Sequence, residues 1–376
     1  MDSIYKIEKS TYLGSVRTFL KAFLKTQKEC SLLIPVRSPH NNTVMPTLVT
    51  EPDMLDQADP FSPAFPLNSA KLVSKLTRKG AGEPMAAFLR PCEIRAFVEL
   101  VKIKQATWDN LVIISSDCAG AFSNSIFREK AVNEKEAFTQ TFLDKRLGSN
   151  LTDTMDDSIA KACTICTRPF PENADITVGL FYPGNKGISL KGTSEKGAKI
   201  LAAMSLEPTA PEENDKEKSA LISSRKTREK EVFQELAAHT GTLPDLGNYL
   251  SDCINCYNCR VACPVCFCKE CVFNTDVVDY EPFQYQGWAR ARGGLKMPTD
   301  TLFFHITRMI HIGLSCVGCG QCSNACPNDI PLAELFKMVG EKAQKDFSYI
   351  PGKDVDEAPP LSVFMENEFK DVTGIS

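Results

Sequence analysis

Apolar residues in positions 1 to about 205 recur alternately at helical and at strand spacing. In VRTFLKAFLK (16–25) they return every three or four residues, which predicts a helix with one buried stripe. CSLLIPV (30–36) is a short apolar run and reads as a strand. SAKLVSKLTRKG (69–80) goes back to helical spacing and closes on Gly80. PMAAFL (84–89) is a predicted strand, CEIRAFVELVKIKQ (92–105) a helix, and NLVIISS (110–116) and ADITVGLF (174–181) are strands again. This β-α-β order predicts an α/β (α+β) domain with a partly parallel sheet. No G-x-G-x-x-G follows any of these strands, so a Rossmann dinucleotide turn is not supported.

The polar pattern then changes. From Glu212 to Glu231, twelve of twenty residues are charged, with mixed signs, as in a solvated helix or a plain surface connection. Gly241 to Gly247 reads as a short turn-rich break. Further on, FFHITRMIHIGL (303–314) predicts a helix, and His305 and His311 on it read as interfacial rather than ligating. The apolar stretch Leu302 to Leu314 is interrupted by His305, Thr307, Arg308 and His311, and no run reaches the length of a transmembrane segment. The first residues, MDSIYKIEKSTYLG, lack the apolar core of a secretory signal. The expectation is a cytoplasmic chain that meets a membrane only through a partner.

Composition sharpens this picture at one residue type. The 376 residues are 43% hydrophobic and 24% charged, with a net charge of −4, so no basic footprint points to nucleic acid. Sixteen cysteines stand against four histidines; five lie in residues 1–248 and eleven in residues 249–376. In a reducing compartment, clustered thiols favour metal over disulfides.

The eleven are ordered. CINCYNCRVACP (253–264) and CVGCGQCSNACP (316–327) are both C-x2-C-x2-C-x3-C-P, the two-cluster ferredoxin pattern. Three thiolates two residues apart wrap one face of a cubane, and the fourth starts a helix and reaches the other cluster. The predicted ligand sets are Cys253, Cys256 and Cys259 with Cys326, and Cys316, Cys319 and Cys322 with Cys263. Structural zinc, the alternative, would leave the third and fourth thiols of each motif idle. Fifty-two residues separate Cys263 from Cys316. CFCKEC adds Cys266, Cys268 and Cys271, which are surplus to two cubanes; they read as buried thiols beside the clusters, or as an incomplete further site that Cys30 or a partner would finish. The domain organisation follows as 1–205, a charged helical linker 206–248, a mainly helical ferredoxin-like region 249–340, and a tail 341–376.

In the first domain, Cys92 and Cys118 each follow a predicted strand, which can place both on one sheet edge where ligands commonly bind. Cys163 and Cys166, in C-T-I-C, can close over them to give four thiolates. A redox-active C-x-x-C and two unrelated core cysteines are the other readings.

LRPCEIRAFVELVKIKQ (89–105), SSDCAGAF (115–122), ACTICTRPFPENADITVG (162–179), CRVACPVCFCKEC (259–271) and CVGCGQCSNACPNDIPLAELF (316–336) resemble the beta subunits of coenzyme F-420-dependent hydrogenases and formate dehydrogenases, most nearly the formate dehydrogenase branch. The resemblance spans nearly the whole chain. It implies a non-covalent FAD in the α/β domain, a third 4Fe–4S cluster on Cys92, Cys118, Cys163 and Cys166, and coenzyme F-420 as the hydride partner. Asn68, Ser69, Thr177, Gly179, Gly184 and Gly187 are the candidate flavin contacts. Arg90 and Arg95, flanking Cys92, either offset cluster or phosphate charge or are ordinary surface arginines. The chain departs from the family at STYLGSVRTFLK, which has Gly14 where some members have a Gly-Gly turn, and at LFYPGNKG (180–187), which is bulkier than the usual glycine- and serine-rich loop.

The expected function is electron transfer between a two-electron carrier at FAD and one-electron clusters. The clusters would lead to a formate dehydrogenase, hydrogenase or heterodisulfide-reductase-like partner. No molybdenum, tungsten or nickel motif is present, so formate or hydrogen chemistry would belong to another subunit. The alternative is an iron–sulfur adaptor that lacks flavin and only relays electrons.

Overall fold

The computed structural model describes residues 3–38, 43–79, 82–131, 135–148, 158–180, 187–209 and 215–363. Its centre is one eight-stranded sheet built from β1 (Ile4–Ile7), β2 (Ser31–Arg37), β3 (Val44–Val49), β4 (Met85–Leu89), β5 (Leu111–Ser116), β6 (Ile176–Gly179), β7 (Ile188–Gly192) and β8 (Pro208–Thr209). The strand order is β3-β2-β4-β5-β6-β7-β1-β8. The middle pairs β2·β4, β4·β5 and β5·β6 are parallel, and the flanking pairs are antiparallel.

All five residues of β4 are buried because the parallel centre is covered on both faces. Successive side chains serve opposite layers. Ala86 and Phe88 join Leu32, Ile34 and Ile114 in one buried cluster, beneath the Tyr12–Thr26 helix. Met85, Ala87 and Leu89 join Leu33, Leu111 and Ile113 in the other, against the Ala70–Thr77 and Pro91–Lys102 helices. That second cluster also contains Leu246, Cys259, Cys263, Phe304, Leu335 and Phe336, so the cysteine-rich region and the sheet share a core.

Two readings of the polar pattern change. The charged run is not a bare connection: it lies on a 26-residue helix, Asp215–Thr240, that buries Leu221, Arg225, Glu229 and Leu236. Spacing of three to four residues, and multiples of it, turns those four inward on one face while the charges around them stay wet. The break at Gly241–Gly247 is mostly helix. Thr242 caps Leu243–Tyr249 by accepting from the Asp245 backbone at 3.3 Å, which overrides the glycine within it.

The chain's last described stretch docks on the Pro91–Lys102 helix. Glu99 Oε1 accepts from Tyr349 Oη at 2.6 Å and from the Gly352 backbone at 2.8 Å. Gly352, at φ +76°, packs so tightly that a Cβ would stand 2.4 Å from the Arg95 Cα. No helix among the described residues is long and apolar enough to cross a membrane.

Candidate functional site

The Pro91–Lys102 helix starts where β4 ends. Pro91 suits the first helical position, and Glu93 Oε2 accepts from the Arg90 backbone at 2.8 Å, so Cys92 is fixed in the first turn. Cys118 follows β5 and is held by its own N–H, which donates to the Pro169 carbonyl at 2.9 Å. Gly120, at φ +102°, brings the same loop against Cys163: a Cβ there would lie 3.6 Å from the Cys163 Cβ. The short Lys161–Thr164 helix carries Cys163 and delivers Cys166 one turn on.

These four thiols feel one another. Burial raises Cys92 well above the usual thiol range, and the charges of Cys319, Glu93, Cys118 and Cys166 add to it. Burial pushes Cys163 up to about 12, with Cys118 and Cys166 contributing. Burial would raise Cys166 too, but Arg225, Arg95 and Lys337 hold it below the ordinary value. Four half-buried, mutually repelling sulfurs beside largely buried cations form a donor set suited to a positively charged core.

The C-terminal thiols form two more quartets. Cys259 feels Cys253, Cys256 and Cys326; burial first, then these charges, lifts it to about 11 against the pull of Arg308. Cys322 is raised by burial and then, against Arg308, by Cys263, Cys319 and Cys316. In electrostatic reach, Cys326 acts on Cys259 and Cys263 acts on Cys322, each a residue of the other motif. Cys92 feels Cys319, which sets the first quartet beside the Cys316 quartet. Among the described residues no three His, Cys, Asp or Glu side chains converge as the ligands of a single ion do. A cubane spreads its thiolates more widely than a tetrahedral zinc site.

Buried cations surround the quartets, and three of them have no signature in the sequence. Arg225, from the charged helix, donates to the Cys166 carbonyl at 3.3 Å. Lys337 bonds Glu229 and the Ile165 carbonyl. Arg308 donates from Nη1 to Cys259 Sγ at 3.0 Å. His305, fully buried, places Nε2 3.4 Å from Cys253 Sγ, and burial with Arg308 and Lys296 presses its pKa down to about 3. His311 on the same helix is exposed. Arg95 is 7% exposed, donates to the Val317 carbonyl at 2.9 Å, and lies within electrostatic reach of Cys166 and Cys316, so it is no surface arginine. Arg90 is architectural: it donates to the carbonyls of Ser62 at 2.7 Å and Ala64 at 2.6 Å. Arg95 Nε and Arg308 Nε are buried without a hydrogen-bond partner, as donors facing an inorganic cluster or its thiolates would be.

The surplus thiols separate. Cys30 is buried in the sheet's other layer, with Leu32 and Phe23, and so does not join Cys266, Cys268 and Cys271. Cys266 feels Cys263, Arg308, Lys71 and Cys268, and Cys268 is exposed.

The candidate flavin contacts scatter. Asn68 stands beside Cys319, whose thiolate its amide favours, and the Ser69 backbone donates to Glu93 Oε1 at 2.7 Å. Thr177 Oγ1 donates to the Lys191 carbonyl within the sheet at 3.4 Å. Gly179 ends β6. Gly187 makes room for β1, since a Cβ would meet Glu8 Cγ at 2.8 Å. Gly184 lies outside the described residues. A small cleft at the carboxyl ends of β5 and β6 is lined instead by Phe61, Ser62, Arg90, Asp117, Cys118 and Leu180. Sequence reasoning missed it because half of these residues sit in loops outside the recognised phrases.

Residues 83–217 match the family described as the C terminus of the coenzyme F420 hydrogenase/dehydrogenase beta subunit, and residues 249–330 match a 4Fe–4S dicluster domain. The chain is 26% identical over 371 residues to the F420-dependent formate dehydrogenase subunit beta of Methanocaldococcus jannaschii, covering 93% of each chain. It is 30% identical over 304 residues to the F420-dependent formate dehydrogenase 1 subunit beta of Methanococcus maripaludis, covering 73% of this chain and 74% of that one. A chain of the F420-reducing [NiFe] hydrogenase complex from Methanosarcina barkeri superposes with a TM-score of 0.43 at 10% identity, over 62% of this chain and 91% of that one.

Proposed function

This chain belongs to the coenzyme F420 hydrogenase/dehydrogenase beta-subunit family, and from that premise we propose that it is a flavin- and iron–sulfur electron-transfer subunit. A proximal 4Fe–4S cluster is held by Cys92, Cys118, Cys163 and Cys166. A medial one is held by Cys263, Cys316, Cys319 and Cys322, and a distal one by Cys253, Cys256, Cys259 and Cys326. The observation that carries the reading is the contact between the two cysteine-bearing regions: Arg95, on the helix that carries Cys92 in its first turn, donates to the Val317 carbonyl, beside Cys316, at 2.9 Å.

FAD, when bound, exchanges electron pairs with a hydride carrier and single electrons with the clusters. The chain's own work is to place and insulate these groups. A flavin would meet the sheet at the carboxyl ends of its parallel strands, the usual ligand edge of such sheets, but the cleft beside Cys118 is as it stands too small to enclose one. Arg95, Arg225 and Lys337 offset the proximal thiolates' charge, and the shared core buries Cys259 and Cys263.

A deazaflavin such as coenzyme F420 is the proposed hydride carrier, and formate or hydrogen chemistry lies on a partner protein within a cytoplasmic complex. The named formate dehydrogenase relatives favour a formate dehydrogenase partner over a hydrogenase or a disulfide reductase. Iron, acid-labile sulfide and flavin analysis of the anaerobically purified chain tests the proposal. About twelve irons per chain and one FAD support it. Full iron without flavin favours the adaptor instead, and about eight irons remove the proximal cluster.

A further inference from the structure

The helix Thr301–Ile312 lies in the 52 residues between Cys263 and Cys316, and counting ligands gives it no task. One turn of it presents two nitrogen donors, three positions apart and so on one face. Arg308 donates from Nη1 to Cys259 Sγ at 3.0 Å and from Nη2 to the Cys259 carbonyl at 3.3 Å. His305 holds Nε2 3.4 Å from Cys253 Sγ. A ligating thiolate only accepts, so Nε2 is the donor in that pair.

Neither side chain is free to swing into water. Arg308 is 3% exposed and His305 0%. The guanidinium lies over the rings of Phe304 and Phe336, 5.4 and 4.6 Å from their centroids. The imidazole packs edge-on to the same rings at 4.9 and 6.4 Å. The two differ in reach. The charge of Arg308 acts on Cys259 and also on Cys322 and Cys263 of the medial quartet. The sulfur contact of His305 is with Cys253 alone.

Hydrogen bonds to cluster sulfurs and nearby positive charge stabilise the more negative, reduced cluster and raise its potential. We propose that this helix sets the potentials of the C-terminal pair: Arg308 raises both clusters, the distal one more, and His305 raises the distal one alone. Both are positioning residues that act through the thiolates. The inference rests on the reading that the quartets hold cubanes.

The test is an EPR-monitored potentiometric titration of the iron-loaded full chain, with iron counted in every sample. For H305L, the reduced-to-oxidised ratio of one cluster signal falls about tenfold at fixed ambient potential, which is 59 mV for a one-electron couple. The other signals stay in place, and H305Q, which keeps an N–H donor, recovers at least half of the shift. R308M lowers two signals, and R308K, which keeps the charge, lowers them less. Unchanged midpoints in iron-replete H305L, an equal shift of all clusters, or the loss of one cluster's iron in H305L overturns the inference. A wild-type chain with too little iron for the C-terminal pair overturns the cubane reading instead, so the two failures are distinguishable.

Discussion

Gly320 and Ala162 touch backbone to side chain: a Cβ on Gly320 would stand 2.8 Å from the Ala162 Cβ. This contact seats the second cysteine motif on the turn that carries Cys163 and Cys166. Gly320 also adopts φ +82°, which a side chain disfavours. Gly320→Ala is expected to cost about 2–3 kcal/mol, from the left-handed backbone and the clash together. Thermal unfolding measures it. Gly247→Ala is the control: it sits in a helix with nothing within 4 Å of a built Cβ, and gains up to about 1 kcal/mol.

Cys163→Ser is expected to remove one cluster, about four of twelve irons, and to leave the C-terminal pair intact. Cys30→Ser, in the opposite layer of the sheet, leaves the iron count unchanged. An equal loss in both variants contradicts the proximal assignment.

Cys256 and Cys268 are both exposed, but only Cys256 is assigned to a cluster. Brief alkylation of the iron-loaded chain, read by peptide mass, is expected to label Cys268 and spare Cys256. After chelation both label. Early labelling of Cys256 in the loaded chain removes it from the ligand set.

Tyr349 gives a pH signature of its own. Burial, and then the Glu99 carboxylate that its phenol donates to, raise its pKa above the ordinary 10. A raised folded-state value means that the phenol's contribution is complete below about pH 10 and is lost as pH climbs beyond it. Of the eight tyrosines, this one is expected to ionise late in a spectrophotometric titration. Tyr349→Phe removes that late step and costs about 1–3 kcal/mol by leaving Glu99 one donor short.

The strands around Cys92 and Cys118 were legible because parallel central strands are apolar on both faces and stand out as runs. The two C-terminal cysteine motifs were legible because the spacing within each is local. The antiparallel flanks were not: β1 has four residues and β8 two, too short for a period to register. The groups around the thiols were also hidden. Arg225 meets Cys166 from 59 positions away, and Arg308 meets Cys259 from 49. Each looks in sequence like one more charge on a helix. Asn68 and Gly187, read as flavin contacts from their residue types, also have local tasks that spacing does not reveal: Asn68 Oδ1 accepts from the Ala70 backbone at 3.1 Å, and Gly187 leaves room for Glu8.

On the proposed assignment the ligands cross between the two motifs, which bears on how the protein is made. A chain emerging from the ribosome exposes Cys166 early, so the proximal set is complete in the first half of synthesis. The distal set waits for Cys326, and the medial set, which already holds Cys263, waits for Cys322. By then the helix bearing His305 and Arg308 has already emerged. Maturation of the C-terminal pair is therefore a late, joint event, and a chain truncated before residue 316 carries four orphan thiols where a cofactor pair belongs.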